Sequence, residues 1–202
     1  MKKLSLIGLL TLLPFAAHAD IIPTMTSITG GPGAYTWSYD ALLTGDSSAI
    51  SGPAPTTTPV PHDATTGSFF TIYDFNDYLA GTCIGPTGWT CTVQNVGYTP
   101  DQVNPVAPPD GAYTANLTWT YTAGATIDGA VNMGGFSAQS LSNLITRTSF
   151  SARTLKDSSD QDGTIADNVG NTSAPMRLPE PTSLGLLGLA LAGLAMRRRK
   201  AA

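Results

Sequence analysis

The sharpest pattern of apolar and polar positions lies in residues 112–122. Tyr113, Ala115, Leu117, Trp119 and Tyr121 fall on one side, and Thr114, Asn116, Thr118, Thr120 and Thr122 on the other. A period of two is that of a strand with one buried and one wet face, so a core face and a solvated threonine face are expected here. Tyr35, Trp37 and Tyr39 repeat the alternation within 34–43, and 68–75, 91–98, 131–139 and 143–152 are further strand candidates. Gly30-Gly31-Pro32-Gly33, Gly85-Pro86, Pro108-Pro109-Asp110-Gly111 and Gly134-Gly135 supply turns between them. Many short strands and no long amphipathic helix predict an all-β fold, a single antiparallel β-sandwich over residues 20–155. One helical turn is expected from Asp74 to Leu79. Residues 51–66, rich in Pro, Thr and Ser, read as a loop, and 156–177 as a polar linker.

The two ends follow a different logic. Lys2-Lys3, the apolar stretch from Leu4 to Phe15 and Ala17-His18-Ala19 have the three parts of a secretory signal peptide, residues 1–19. Cleavage after Ala19 leaves Asp20 as the first mature residue. An uncleaved anchor is the rival reading, and it fits the short apolar region and the small residues at Ala17 and Ala19 less well. At the other end, Leu184 to Met196 carry neither charge nor proline. As a helix, residues 184–196 span about 20 Å, short of a bilayer core of roughly 30 Å. The cations Arg197, Arg198, Arg199 and Lys200 extend that span by snorkelling and hold a cytoplasmic end, a membrane stop signal.

Pro179-Glu180-Pro181, the short apolar helix and the terminal basic cluster, taken in order over 178–202, closely resemble the PEP-CTERM sorting domain of Gram-negative bacteria. The resemblance implies a transmembrane sorting helix and a partner, an exosortase-like membrane protease of the inner membrane that recognises Pro179, Glu180 and Pro181 and cuts nearby. It also implies a bacterium that makes exopolysaccharide. A Gram-positive sortase signal would need threonine at Pro181 and glycine at Thr182, and a lipid-anchor signal would not end in four cations.

Charge narrows the partners. Six of the ten basic residues lie in the two targeting ends, so residues 20–181 carry four (Arg147, Arg153, Lys156, Arg177) against fourteen acids. A mature body near −10 repels phosphate backbones, which argues against nucleic acid as a partner. Cys83 and Cys91, close in sequence and exported, are expected to form a disulfide in an oxidising compartment. The stapled turn presents Trp89, either as a lid on the core or as a glycan contact.

Candidate chemistry is sparse. His62 is the one histidine of the mature chain, beside Asp63, and no nucleophile motif accompanies it. Asp40, Asp74 and Asp77 lie near strand ends, and nothing in their spacing pairs them as two catalytic carboxylates. Asp157, Asp160 and Asp162, followed by Gly163, resemble a calcium loop, but Ser158 stands at the first-ligand position and Val169 where the bidentate Glu belongs. A solvated acidic linker is the competing reading. The expectation is an exported, non-catalytic cell-surface or exopolysaccharide-matrix protein, first anchored in the inner membrane and then placed in the envelope or extracellular matrix. A carbohydrate-binding module for that polysaccharide and an Asp-dependent secreted hydrolase stand as alternatives.

Overall fold

A computed structural model describes residues 20–63, 65–103, 114–157 and 162–177. Ten strands run in order: β1 (Ile21–Gly31), β2 (Ala34–Leu43), β3 (Ser47–Ala49), β4 (Phe69–Asn76), β5 (Trp89–Gln94), β6 (Thr114–Tyr121), β7 (Ile127–Asp128), β8 (Val131–Ser140), β9 (Ile145–Lys156) and β10 (Ile165–Pro175). β1, β2 and β8 make a three-stranded antiparallel sheet. The larger sheet has the order β5-β6-β4-β9-β3-β7, with β10 also paired to β9. The two sheets pack face to face, and the described residues contain no helix. The expected all-β sandwich is the fold.

Aromatic rings fill the space between the sheets. Trp37 and Tyr39 of β2 and Phe136 of β8 meet Phe70, Ile72 and Phe75 of β4 and Leu117 and Trp119 of β6, all fully buried. Phe70 stacks on Trp119 at 5.2 Å and meets Phe136 edge-on at 5.1 Å. The two fully buried indoles find loop carbonyls: Trp37 donates to Ser142 at 3.0 Å and Trp119 to Ile84 at 2.9 Å. Tyr39 donates to the Ser173 carbonyl at 2.9 Å, tying β2 to β10 across the core.

The threonine face of β6 is not wet. Asn116, Thr118 and Thr120 are as buried as the core residues between them. The segments 51–63, 65–68 and 95–103 lie over that side of the large sheet. Thr71 donates to the Tyr98 carbonyl at 2.7 Å, and Tyr73 shares hydrogen bonds with Thr99 and Ser151. Gly67 and Gly97 permit the approach: a Cβ at Gly67 would strike the Tyr121 carbonyl, and one at Gly97 the Tyr73 ring. Proline and threonine excluded 51–66 from a strand, as expected, yet the loop roofs a polar second layer.

Three other expectations change. Asp74 to Leu79 forms no helical turn; β4 runs on to Asn76 through a bulge after Ile72, with Asp74 at φ 53°. Residues 156–177 are not a linker, because β10 pairs residue for residue with β9 from Ile165↔Leu155 to Pro175↔Ile145. Its inward positions are small (Ala166, Gly170, Thr172, Ala174) because neighbours fill the space, and the Phe150 ring lies where a Gly170 side chain would be. β1 also escaped the hydrophobic reading, since Pro23 and Gly30-Gly31 break the pattern and only an edge strand tolerates them.

Cys83 and Cys91 are disulfide-bonded. Ile84 exchanges backbone hydrogen bonds with Ser137 on the outer edge of β8, while Cys91 lies on edge strand β5. The bond therefore joins the two sheets along one side, and closing its short loop stabilises the fold by about 2–3 kcal/mol.

Burial pushes the Tyr39 hydroxyl well above the ordinary tyrosine range. A group whose pKa is raised on folding contributes its full stability below the unfolded value, near 10.0, and loses it as the pH rises further. Stability measured by urea unfolding should therefore fall above pH 10, and the fall should be shallower in Tyr39→Phe. That variant loses about 1 kcal/mol at neutral pH with its hydrogen bond.

Candidate functional site

The densest cluster of ionisable groups sits on the roofed face of the large sheet. Arg153 of β9 is 3% exposed and Asp167 of β10 is 2% exposed. The pair Asp167↔Arg153 is in register, so both side chains leave the same face. Arg153 Nε donates to Asp167 Oδ1 at 2.7 Å and Nη2 to Oδ2 at 3.0 Å, a bidentate fork. Its remaining donors go to the roof, to the carbonyls of Pro61 and of Val60, the latter at 3.2 Å. His62 Nδ1 lies 3.0 Å from Asp167 Oδ2, and the His62 N–H donates to Asp101 at 3.1 Å. One buried guanidinium thus holds an edge strand and two loop segments together.

His62, Asp101 and Asp167 bring three potential ligand atoms within 4.8 Å of one another. The positive charge such a trio would recruit is already supplied, since Arg153 binds both oxygens of Asp167 and lies 3.8 Å from Asp101. Catalysis by His62 would need a hydroxyl, and among the described residues no serine or threonine hydrogen-bonds to it. Neighbouring Asp63 is exposed, and its carboxyl is held below the usual range by the Thr65 hydroxyl and then by the Thr65 N–H. The cluster works as a latch.

A groove of about 640 Å³ opens beside the disulfide, lined by Asp77, Tyr78, Cys83, Cys91, Val93 and Leu141 among others. Asp77 is the one carboxylate among the described residues that line it. Asp74 is nearby in sequence but accepts no place in that wall, and its N–H is held by Asn116 at 3.1 Å. Asp40 is engaged by Asn132 at 3.0 Å.

Trp89 is 8% exposed and packs against Phe70, Tyr121 and Phe136 at 5.1–5.9 Å, so the ring lies inward as a lid on the core rather than outward toward a glycan. Among the described residues, Trp37, Trp119 and all the phenylalanines are buried too, leaving no row of exposed rings on either sheet. Asp157 and Asp162 lie between β9 and β10, where Gly163 N–H donates to the Lys156 carbonyl at 2.9 Å. Asp160 lies outside the described residues.

The last strand delivers the chain to its sorting signal. Met176 N–H bonds to the Leu144 carbonyl at 2.7 Å, and Arg177 is the last described residue. The described body is an all-β sandwich that ends directly before a processing signal. Residues 178–200 match the PEP-CTERM protein-sorting motif. The motif marks the chain as exported, membrane-anchored and then processed, the target of an exosortase-type membrane protein. A search among curated proteins returns no match. Pro179, Glu180, Pro181 and Arg197 to Lys200 lie outside the described residues, as do Ala17 and Ala19.

Sequence reasoning passed over Arg153. It lies one residue beyond the expected strand 143–152, and Arg147 within that strand looks the same in sequence, so nothing singled Arg153 out. Arg153→Met leaves Asp167 buried without its partner and should cost about 3–5 kcal/mol in urea unfolding. Arg153→Met combined with Asp167→Leu should recover most of that loss.

Proposed function

We propose that this protein is an exported, non-catalytic component of the cell surface or exopolysaccharide matrix, released from its membrane anchor by cleavage near Pro179-Glu180-Pro181. The observation that carries the proposal is the direct joining of a sorting motif to a body whose buried Arg153–Asp167 pair and aromatic rings are engaged internally. Arg153, Asp167 and Tyr73 are each spent on holding loops to the sheet, and the aromatic rings are spent on the core. Such a body is a stable, acidic, disulfide-stapled unit suited to a structural or adhesive role outside the cell. Its net negative charge keeps it soluble beside anionic polysaccharide and leaves divalent cations as the natural bridge between them.

The recognition residues are Pro179, Glu180 and Pro181, with the apolar run 184–196 and the four terminal cations presenting them at the membrane. In native cells, Glu180→Ala should leave a membrane-bound species that retains Arg197 to Lys200, while the unmodified chain appears without them in the envelope or medium. Equal processing of both would remove the recognition role of the motif.

A further inference from the structure

The end of the sandwich from which the chain leaves differs from the rest of its surface. Leu141, Leu144, Ile145 and Met176 are each 43–56% exposed, four of the ten large apolar side chains left exposed on the described residues. They belong to one place. Met176 is bonded to Leu144, Pro175 faces Ile145 in the β10–β9 ladder, and Leu141 N–H bonds to Asp77 O at the same end. The uncharged β1–β2 turn, Gly31 to Ala34, also lies here, since Tyr35 pairs with Ser140.

Charge divides the molecule along the same axis. The described charged residues at the exit end are Asp74, Asp77, Arg147 and Arg177, in balance. At the opposite end, where Ile21 pairs with Leu43 and Leu155 with Ile165, stand Asp20, Asp46, Asp128, Asp157 and Asp162 against Lys156. An anionic bilayer repels the acidic end and leaves the neutral, apolar end as the face that can approach. The tether enforces closeness. Six residues separate Arg177 from Leu184, so even fully extended the apolar run starts no more than about 25 Å from the sandwich.

We infer that Leu141, Leu144, Ile145 and Met176 form a membrane-contact face that seats the sandwich, exit end down, on the lipid headgroups of the bilayer holding residues 184–196. The inference rests on the reading of that run as a membrane segment. Apolar side chains that enter the interface and cations beside them are the two ingredients of reversible surface binding. Seated this way, the body holds the chain between Arg177 and Leu184 at the headgroup level, within reach of a membrane-embedded protease. Cleavage there removes the tether, and the weak contact that remains lets the acidic body depart.

The test uses the full chain reconstituted in phosphatidylethanolamine–phosphatidylglycerol vesicles. Both native cysteines are in the disulfide, so Ile145→Cys, Asp128→Cys and Leu189→Cys each offer one thiol for an environment-sensitive fluorophore, with Leu144→Cys repeating the first. The expected result is loss of emission at 145 and 144 to headgroup-level spin-labelled lipid with protection from aqueous iodide, and the reverse at 128. Iodide quenching at 145 while 189 is reached by deep spin label would overturn the membrane face and leave the tail reading standing. Shielding of 145 from both quenchers would show another protein surface, such as a second copy, on this end and would also overturn it. Failure of any lipid label to reach 189 would remove the membrane segment and the inference with it.

Discussion

Arg153 places a guanidinium inside the molecule with partners on three separate stretches of chain: Asp167 of β10, the carbonyls of Val60 and Pro61, and Asp101 at 3.8 Å. Much of the architecture depends on that arrangement. A strand as polar as β10 has little apolar surface with which to hold an edge, and its Asp167 would be costly to bury alone. Paired with Arg153 in register, the same aspartate becomes the fastening of the edge. The donors left over then bind a proline-rich segment that could not pair as a strand, because proline lacks an N–H. The polar second layer over β4 and β6 follows from this, with Thr71, Tyr73, Thr118 and Ser151 buried among hydrogen bonds instead of facing water.

On the opposite face of those strands, packing carries the load. Rings from both sheets interlock around Phe70, and the disulfide closes the side where β5 and the stretch before it would otherwise be free. The central strands are thus buried on both faces by unlike means, apolar rings on one and hydroxyls on the other, of which Thr71, Tyr73, Thr118 and Ser151 are hydrogen-bonded and Thr120 is not. That explains how an acidic chain with few exposed apolar residues per unit length still builds a core.

How much of this was legible in the sequence differs by region. The β2, β4 and β6 strands announced themselves because each carries large apolar residues at alternate positions. The core face of β6 was legible for the same reason. Its other face was not, because Thr and Asn look alike in water and beneath a hydrogen-bonding loop; only the partner decides. β10 was hidden by Asn168, Gly170 and Asn171, residues of low strand propensity that are tolerated because β9 supplies a complete ladder and Phe150 fills the missing volume. The sorting motif was legible from its three ordered parts alone. A tight acidic turn such as the one bearing Asp157 and Asp162 has the same composition whether it binds an ion or reverses a strand, so the sequence does not separate the two.

With β10 in the sheet, the body runs to Pro175 and the motif begins at Leu178, so the domain meets its membrane signal with almost no spacer. The latch, the short tether and the exit-end surface all depend on that strand. Native-state hydrogen exchange read by mass spectrometry tests it most directly. The account requires the β10 amides that bond to β9, within 166–174, to be protected to a degree comparable with β6 and to lose protection in Arg153→Met. Rapid exchange across 165–175 at the rate of an open chain would contradict it, making that stretch a spacer and detaching the body from the membrane by its whole length.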